Sequence, residues 1–179
     1  MKTVYLIRHA EAEGQPFTAN LTKKGVKQAA DLVAFFKNKP IDCIYSSPYK
    51  RSLDTIRPLA ESRGLEIKED HRLGERVLSS AYLENWQEKL KMSFVDMELA
   101  FEGGESNHAA MERAGSVLSD VIQSDDEHII LVSHGNLTTL MLRHFNESFG
   151  FEHLMDMSNP DVYEIVIANE QATLKRIWK

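Results

Sequence analysis

Arg8 and His9 directly follow a short apolar run, Thr3-Val4-Tyr5-Leu6-Ile7. The arrangement recurs twice: residues 41–47 (IDCIYSS) lead through Pro48-Tyr49-Lys50 to Arg51, and residues 128–134 (HIILVSH) end on His134. Charged groups are costly to bury without partners, so basic side chains at the ends of three core segments point to a shared site. Guanidinium forks match the oxygens of a phosphoryl group and stay charged at any working pH. A neutral imidazole nitrogen beside them is a nucleophile that can take that group covalently. Two arginines and two histidines converging on one point would therefore make an anion site with chemistry of its own.

For these residues to meet, the three runs must be strands of one open, parallel sheet, because ligands of such sheets sit outside the carboxyl ends of the strands. The intervening sequence fits. Thr22 reads as a helix N-cap, and Val26, Ala29, Ala30, Val33 and Phe36 then recur at helical spacing, which predicts an amphipathic helix over 23–37. Ser47-Pro48 reads as an N-cap followed by proline at the first helical position. That sets Arg51 one turn into a helix ended by Gly64, leaning back towards the strand end and adding its charge to the helix N-terminal dipole. A further short strand is expected over 65–68. A helix is expected over 79–94, with Leu83, Trp86, Leu90 and Phe94 on one face. Another follows Ser106, with Met111, Ala114, Val117, Leu118, Val121 and Ile122 buried. A last helix covers 136–145, and strands over 162–168 and 173–178 form a hairpin at the sheet edge.

Five motifs occur in an order and spacing that resemble the histidine phosphatase superfamily, the group that includes cofactor-dependent phosphoglycerate mutases. They are Arg8-His9-Ala10-Glu11, Leu21-Thr22-x-x-Gly25-x-x-Gln28-Ala29, Ser46-Ser47-Pro48-x-x-Arg51-x-x-x-Thr55, Gly104-Glu105-Ser106 and Val132-Ser133-His134-Gly135. The resemblance spans nearly the whole chain. It implies an α/β fold of three layers, α/β/α, with a mostly parallel central sheet, an antiparallel edge strand and a small helical cover over the carboxyl ends of the strands. One domain over 1–179 is expected, with 76–105 as the cover insertion that sets specificity. The resemblance assigns the nucleophile to His9, with Arg8, Arg51 and His134 holding the phosphoryl group. Family members carry a carboxylic acid after a leucine near residue 75, and Glu75 is the residue that matches; partly desolvated beside phosphate, it would serve as general acid and then activate water. Its competing role is a surface carboxylate paired with Arg72 or Arg76. Glu11, Glu105 and His71 are weaker choices, expected to be supporting.

Two departures bear on the phosphate loop. Ala10 stands in place of the usual glycine, a small change unless the backbone there has positive φ. Gln15 stands where an asparagine often contacts phosphate, and it keeps an amide donor on a longer arm. The activity implied is hydrolysis of small phosphorylated metabolites or other phosphomonoesters without metal or cofactor. A mutase is the alternative within the family, but Glu75-Arg76-Val77-Leu78 does not match the arginine-, histidine- and tyrosine-rich mutase stretch. A non-catalytic, phosphate-dependent binding protein is the alternative of another class.

Bulk properties narrow the partners. The chain has 179 residues, 42% hydrophobic and 27% charged, with a formal net charge of −6. That balance argues against nucleic-acid binding, which needs a basic face. No apolar run approaches the ~20 residues that span a bilayer, Met1-Lys2 leads straight into the first strand, and a cytoplasmic location is expected. The lone Cys43 falls inside a core strand and reads as a buried, inert thiol. Within 76–105, Arg76, Lys89 and Lys91 face six acids, so the cover is net acidic and expected to disfavour substrates carrying a second phosphate or carboxylate. Its aromatic residues are expected mostly to pack it onto the sheet.

Overall fold

The computed structural model describes residues 1–178. Its strands are β1 (Lys2–Arg8), β2 (Cys43–Ser46), β3 (Ile67–Glu69), β4 (His128–Ser133), β5 (Asp161–Ala168) and β6 (Gln171–Arg176). Its helices are α1 (Lys23–Phe35), α2 (Lys50–Arg63), α3 (Trp86–Val95), α4 (Asn107–Gln123), α5 (Gly135–Arg143) and α6 (Phe151–Asp156), with a 3-10 turn at His71–Leu73. The strands form one sheet in the order β3-β2-β4-β1-β5-β6. The pairings β3-β2, β2-β4 and β4-β1 are parallel, and β5 and β6 add an antiparallel edge. This is the mostly parallel α/β sheet that the strand pattern predicts.

Alternation along the strands sorts the core into two layers. Tyr5, Ile7, Ile44, Ile130 and Val132 meet Leu32 and Phe36 from the α1 segment and Ile56 and Leu59 of α2 on one face. On the other, Val4, Leu6, Ile129 and Leu131 meet Ala114, Val117 and Val121 of α4 and Leu137, Leu140 and Met141 of α5. Each fully buried aliphatic side chain contributes on the order of 1.5–3 kcal/mol, so the central strands are fixed strongly from both sides.

Register then places the site. Arg8 lies level with Ser133, and Ser46 lies level with Val132. The His9 amide continues the ladder onto the Ser133 carbonyl (3.0 Å), and the Ser47 amide onto the Val132 carbonyl (2.9 Å). His9, Ser47 and His134 therefore leave the sheet at one height.

Several expectations need correction. Ile41 and Asp42 precede β2; the Asp42 amide donates to the His128 carbonyl (2.8 Å) while its carboxylate accepts from the Glu127 and His128 amides (3.0 and 2.8 Å). The helix at α1 stops at Phe35, and Val26 is 61% exposed; Gly25, Ala29 and Leu32 form its buried side. Ile122 falls at the edge of the α4 stripe and is exposed. α5 begins one residue earlier than expected and ends at Arg143; β6 ends at Arg176, and Trp178 instead packs edge-on to Phe35.

The largest correction concerns 79–94, which is helical only in α3. Residues 77–85 are irregular because their backbone partners lie elsewhere: the Ser80 amide donates to the Glu102 carbonyl (2.9 Å), and the Glu105 amide to the Val77 carbonyl (3.0 Å). Close approach there requires Gly104, where an added Cβ would sit 2.2 Å from the Leu78 carbonyl oxygen. Tyr82, Trp86 and Met92 do not pack the cover down; they are 87%, 48% and 49% exposed. α6, which packs against α3 and α5, is an element the sequence pattern does not predict.

Candidate active site

The carboxyl ends of β1, β2 and β4 bring Arg8, His9, Arg51, His134 and Glu75 together. His9 and His134 are buried, with ring centroids 5.1 Å apart. The His9 Nδ1–H donates to the Ala10 carbonyl (2.7 Å), and Nε2 accepts from Arg51 Nε (3.2 Å). A guanidinium only donates, so these two contacts fix a neutral imidazole with its lone pair on Nε2. The electrostatics agree: burial, then the charges of Arg51 and Arg8, push the His9 pKa down to about 3 against the opposing Ala10 contact. His134 is likewise held well below the ordinary histidine value by burial and by His9, Arg51 and Arg8.

Arg51 does not lie one turn into its helix. Ser47 is not the cap and Pro48 not the first helical residue; Tyr49 is the N-cap, and Arg51 is the second residue of α2. The reason is that the Ser47 hydroxyl is engaged elsewhere: it accepts from the Tyr49 amide (3.3 Å) and is hydrogen-bonded to His134 Nε2 (2.8 Å). His134 Nδ1 is a buried atom without a partner among the described residues. Arg51 is 1% exposed, its Nη1 donates to the carbonyls of Gln15 and Pro16 (2.9 and 3.1 Å), and its charge lies 4.9 Å from the Tyr49 ring centroid. Gln15 thus contributes a backbone carbonyl to the site, while its side chain is exposed on the cavity rim.

Arg8 donates from Nη1 to the Met157 carbonyl (3.0 Å), and its buried Nε has no partner among the described residues. Gly135 makes room for it: a Cβ there would stand 3.1 Å from Arg8 Cζ and Nε. Two buried nitrogens of the site, Arg8 Nε and His134 Nδ1, are thus unpartnered among the described residues, and buried unmatched polar atoms are expensive unless a ligand pairs with them.

Glu75 is not paired with Arg72, which holds Asp70 and Asp120 (2.7 and 2.8 Å). Its carboxylate caps α5 instead, accepting from the amides of Asn136 (3.1 Å), Leu137 (2.9 Å) and Arg76 (2.9 Å). Burial raises its pKa, while those amides and Arg8 pull the other way. Arg76 lies beneath, 3% exposed, with Nε on the Glu105 carbonyl (2.9 Å) and Nη1 on Ser93 Oγ (3.2 Å). Glu105 itself is tied to Arg113, and Glu11 holds Thr22 Oγ1 (2.9 Å). His71 lies exposed in the 3-10 turn.

Four supporting residues were assigned no role from the sequence. Thr55 Oγ1 accepts from the Ala10 amide (2.9 Å) and donates to the Arg51 carbonyl (2.6 Å). Ser52 approaches His134 Nε2 (3.4 Å), and the Tyr49 ring lies 4.7 Å from the His134 ring centroid to centroid. Asn159 Nδ2 donates to the His9 carbonyl (3.0 Å). The spacing Arg51, Ser52, Thr55 along one helix could have flagged the first two; nothing local marks Asn159. Ala10 causes no strain: the non-glycine residues at positive φ are Asn85, Asn169 and Glu170.

Above this group opens a cavity of about 770 Å³, lined at its floor by Arg8, Arg51, Glu75 and Asn136 and at its outer side by the cover and α6. Among the described residues no three His, Cys, Asp or Glu side chains are placed to hold a metal ion, and no helix is long and apolar enough to cross a membrane.

Comparison with known proteins finds both phosphatases and phosphoglycerate mutases among the relatives, a probable phosphoglycerate mutase of Shigella dysenteriae being 31% identical over 156 residues, 75% of this chain and 70% of that protein. Phosphoserine phosphatase 1 of Hydrogenobacter thermophilus is 31% identical over 150 residues, covering 75% of this chain and 71% of that protein. In fold, a mycobacterial glucosyl-3-phosphoglycerate phosphatase solved with inorganic phosphate superimposes with a TM-score of 0.82 at 20% identity, covering 99% of this chain and 97% of the other. A phosphoserine phosphatase variant from Entamoeba histolytica, in complex with phosphoserine, gives 0.81 at 22% identity, covering 97% and 95%. The family model for the histidine phosphatase superfamily, branch 1, matches residues 4–179, and with the strand-end histidines and arginines gathered at one point, the chain belongs to that superfamily.

Proposed function

We propose that the protein is a phosphomonoester hydrolase working through a phosphohistidine on His9. The observation that carries this is the fixed tautomer of His9: Nδ1–H is held by the Ala10 carbonyl and the Nε2 lone pair faces Arg51, in a setting that keeps the ring neutral. Substrate phosphate draws the Arg51 guanidinium from Nε2 onto its oxygens, since charge-assisted hydrogen bonds are roughly twice as strong as neutral ones. Arg8 Nε and His134 Nδ1–H supply further donors, and all of them tighten as charge shifts in transfer.

Nε2 then attacks phosphorus, the N–P bond forms and the P–O bond to the alcohol breaks. The bonding pair stays on the alcohol oxygen, which takes the proton of Glu75. In the second half, the Glu75 carboxylate removes a proton from water as its oxygen attacks phosphorus; the N–P bond breaks, His9 regains its lone pair and orthophosphate leaves. Glu75 suits both steps because burial favours its neutral form while three amides sustain its anion. The phosphatase names of the relatives support hydrolysis of small phosphorylated substrates. Hydrolysis is favoured over mutase-type transfer because the cations lining the cavity are Arg8, Arg51 and the deeply buried Arg76, a small complement for a bisphosphate.

A chelator-treated sample tested on p-nitrophenyl phosphate and on phosphoglycerate decides the matter. Phosphate release with an acid-labile, alkali-stable phosphoenzyme is expected. Isomerisation of phosphoglycerate would favour the mutase reading, and phosphate binding without turnover would favour a binding protein.

A further inference from the structure

The cavity is much larger than a phosphoryl group requires. At about 30 Å³ per water molecule, 770 Å³ has room for on the order of 25 waters. The phosphate-binding residues occupy its floor alone. Higher up, its wall carries Leu78, Tyr82, Trp86, Leu90, Leu154 and Met155, interrupted by Arg76, Ser79 and Ser80. Trp86 and Met155 are 48% and 43% exposed, and Tyr82 is 87% exposed. Large apolar side chains gathered beside a catalytic centre and left uncovered mark a binding surface more often than an accident of packing.

Charge on this wall is accounted for and points the same way. Lys89 Nζ lies over the Phe101 ring (5.9 Å), and Lys91 Nζ over the Phe151 ring (5.8 Å) and near Glu152 (3.9 Å). Neither lysine lines the cavity. Arg76 lies behind this wall, 3% exposed, with Nε and Nη1 on Glu105 and Ser93 and a buried Nη2 that has no partner among the described residues. A second phosphate or carboxylate on the substrate would therefore reach an outer wall with no exposed lysine or arginine, the deeply buried Arg76 being the one cation behind it among the lining residues.

Resting on the hydrolase reading above, we infer that the leaving alcohol carries an extended apolar or aromatic body, uncharged beyond the phosphate, which lies along Leu78, Tyr82, Trp86, Leu154 and Met155. This separates the chain from relatives named for phosphoserine, whose leaving group is small and charged. It also gives the cover a purpose that packing does not supply: α3 and α6 form two sides of a slot, and the substrate's apolar body fills it.

The test is kcat/KM for n-alkyl phosphates from ethyl to octyl, with O-phosphoserine and 3-phosphoglycerate alongside. In the alkyl series the alcohol's acidity barely changes, so the slope reports burial of the chain rather than leaving-group chemistry. A rise of about three- to fourfold per methylene over the first several carbons is expected, in line with full burial of each group. Phosphoserine should fall at least about a hundredfold below hexyl phosphate, because it has no comparable apolar surface to bury. Trp86→Ala should lower the octyl-to-ethyl ratio by about tenfold, as removal of a large aromatic side chain from a binding wall does. That ratio is taken within one preparation, so the fraction of folded enzyme cancels. A flat alkyl series, a preference for phosphoserine or phosphoglycerate, or an unchanged ratio in Trp86→Ala would overturn the inference while leaving the hydrolase reading standing. Absence of turnover on every ester would instead overturn the hydrolase reading, and the inference with it.

Discussion

The two ends of the cavity are built on different principles. At the floor, His9, Arg51 and His134 are buried and Arg8 and Glu75 half-buried, and the side chains are held by named partners: His9 by Ala10 and Asn159, His134 by Ser47, Glu75 by three amides. At the outer wall, Tyr82 and Trp86 lie on an irregular segment and a ten-residue helix, half or more exposed. A phosphoryl group is the same in every monoester, so the floor gains from rigidity that aligns reacting atoms. On the inference above, the wall would meet the variable part of the substrate, and it is cheap to alter. Chemistry and choice of substrate are therefore separable in this molecule, and mutations at the two ends should differ in kind.

The largest effect is expected at the nucleophile. His9→Ala should lower kcat by at least about 10⁴-fold, as removal of a nucleophile does elsewhere, and abolish phosphoenzyme trapping while leaving the circular dichroism spectrum unchanged. Near-normal turnover would end this division between floor and wall, because the floor would not be the seat of chemistry.

Glu75→Gln sharpens it. Alkyl phosphates need a proton on the departing oxygen, and nitrophenyl phosphate does not, so losses of about 10²–10³ and under about tenfold respectively are expected in the phosphorylation step. Single-turnover kinetics measures both, and equal losses would remove Glu75 as the acid.

The floor should also govern the response to acid. His9 has a folded pKa of about 3 against an ordinary 6.5, so between these values the unfolded chain takes up a proton that the folded protein refuses. Stability is then complete above pH 6.5 and falls as pH drops towards 3, by about 1.4 kcal/mol per pH unit at full linkage. His134 acts in the same direction. Glu75, with its pKa raised, opposes them above its ordinary 4.5, where the folded protein keeps a proton the unfolded chain has released. Urea melts at pH 5, 6 and 7 should show stability rising with pH, and His134→Gln should flatten that slope. An unchanged slope would mean the ring is already charged in the fold.

A packing change beneath the floor comes next. At Gly25 an added Cβ would lie 2.0 Å from the Glu11 carbonyl oxygen, so Gly25→Ala should cost about 1–3 kcal/mol of overpacking, read from denaturant midpoints. The smallest effect belongs to the wall: Tyr82→Ser, at a residue 87% exposed, should change stability by no more than about 0.5 kcal/mol. A larger loss there would show that the cover is part of the structural core after all.

This asymmetry also explains what could be read from the sequence. Apolar, β-branched runs ending in Arg8-His9 and in His134 identify parallel strands and their shared end, because burial leaves few other homes for such runs. Thr22, Gly25 and Gln28 likewise form a local unit: Thr22 caps α1, and Gln28 Oε1 accepts from the Glu11 amide (2.9 Å). The cover resisted reading because its backbone partners sit some twenty residues away, at 102–105, where helical periodicity carries no information. α6 spans only six residues, too few to show a period. Arg76 is typed as a surface residue and buried only by contacts with Ser93 and Glu105. Ser47-Pro48 has the composition of a helix start, yet the serine hydroxyl serves His134 instead.

Arg51 Nε resting on His9 Nε2 works, in synthetic terms, as a protecting group. With its one reactive lone pair covered, the imidazole is shielded from acylating reagents, stray protons and neutral electrophiles that wander into the cleft. Deprotection requires something that competes for a guanidinium, and only an oxyanion does so well. On the proposed mechanism the protein would thus demand a negative charge as the key before exposing His9 Nε2, and molecules without one would meet an inert surface.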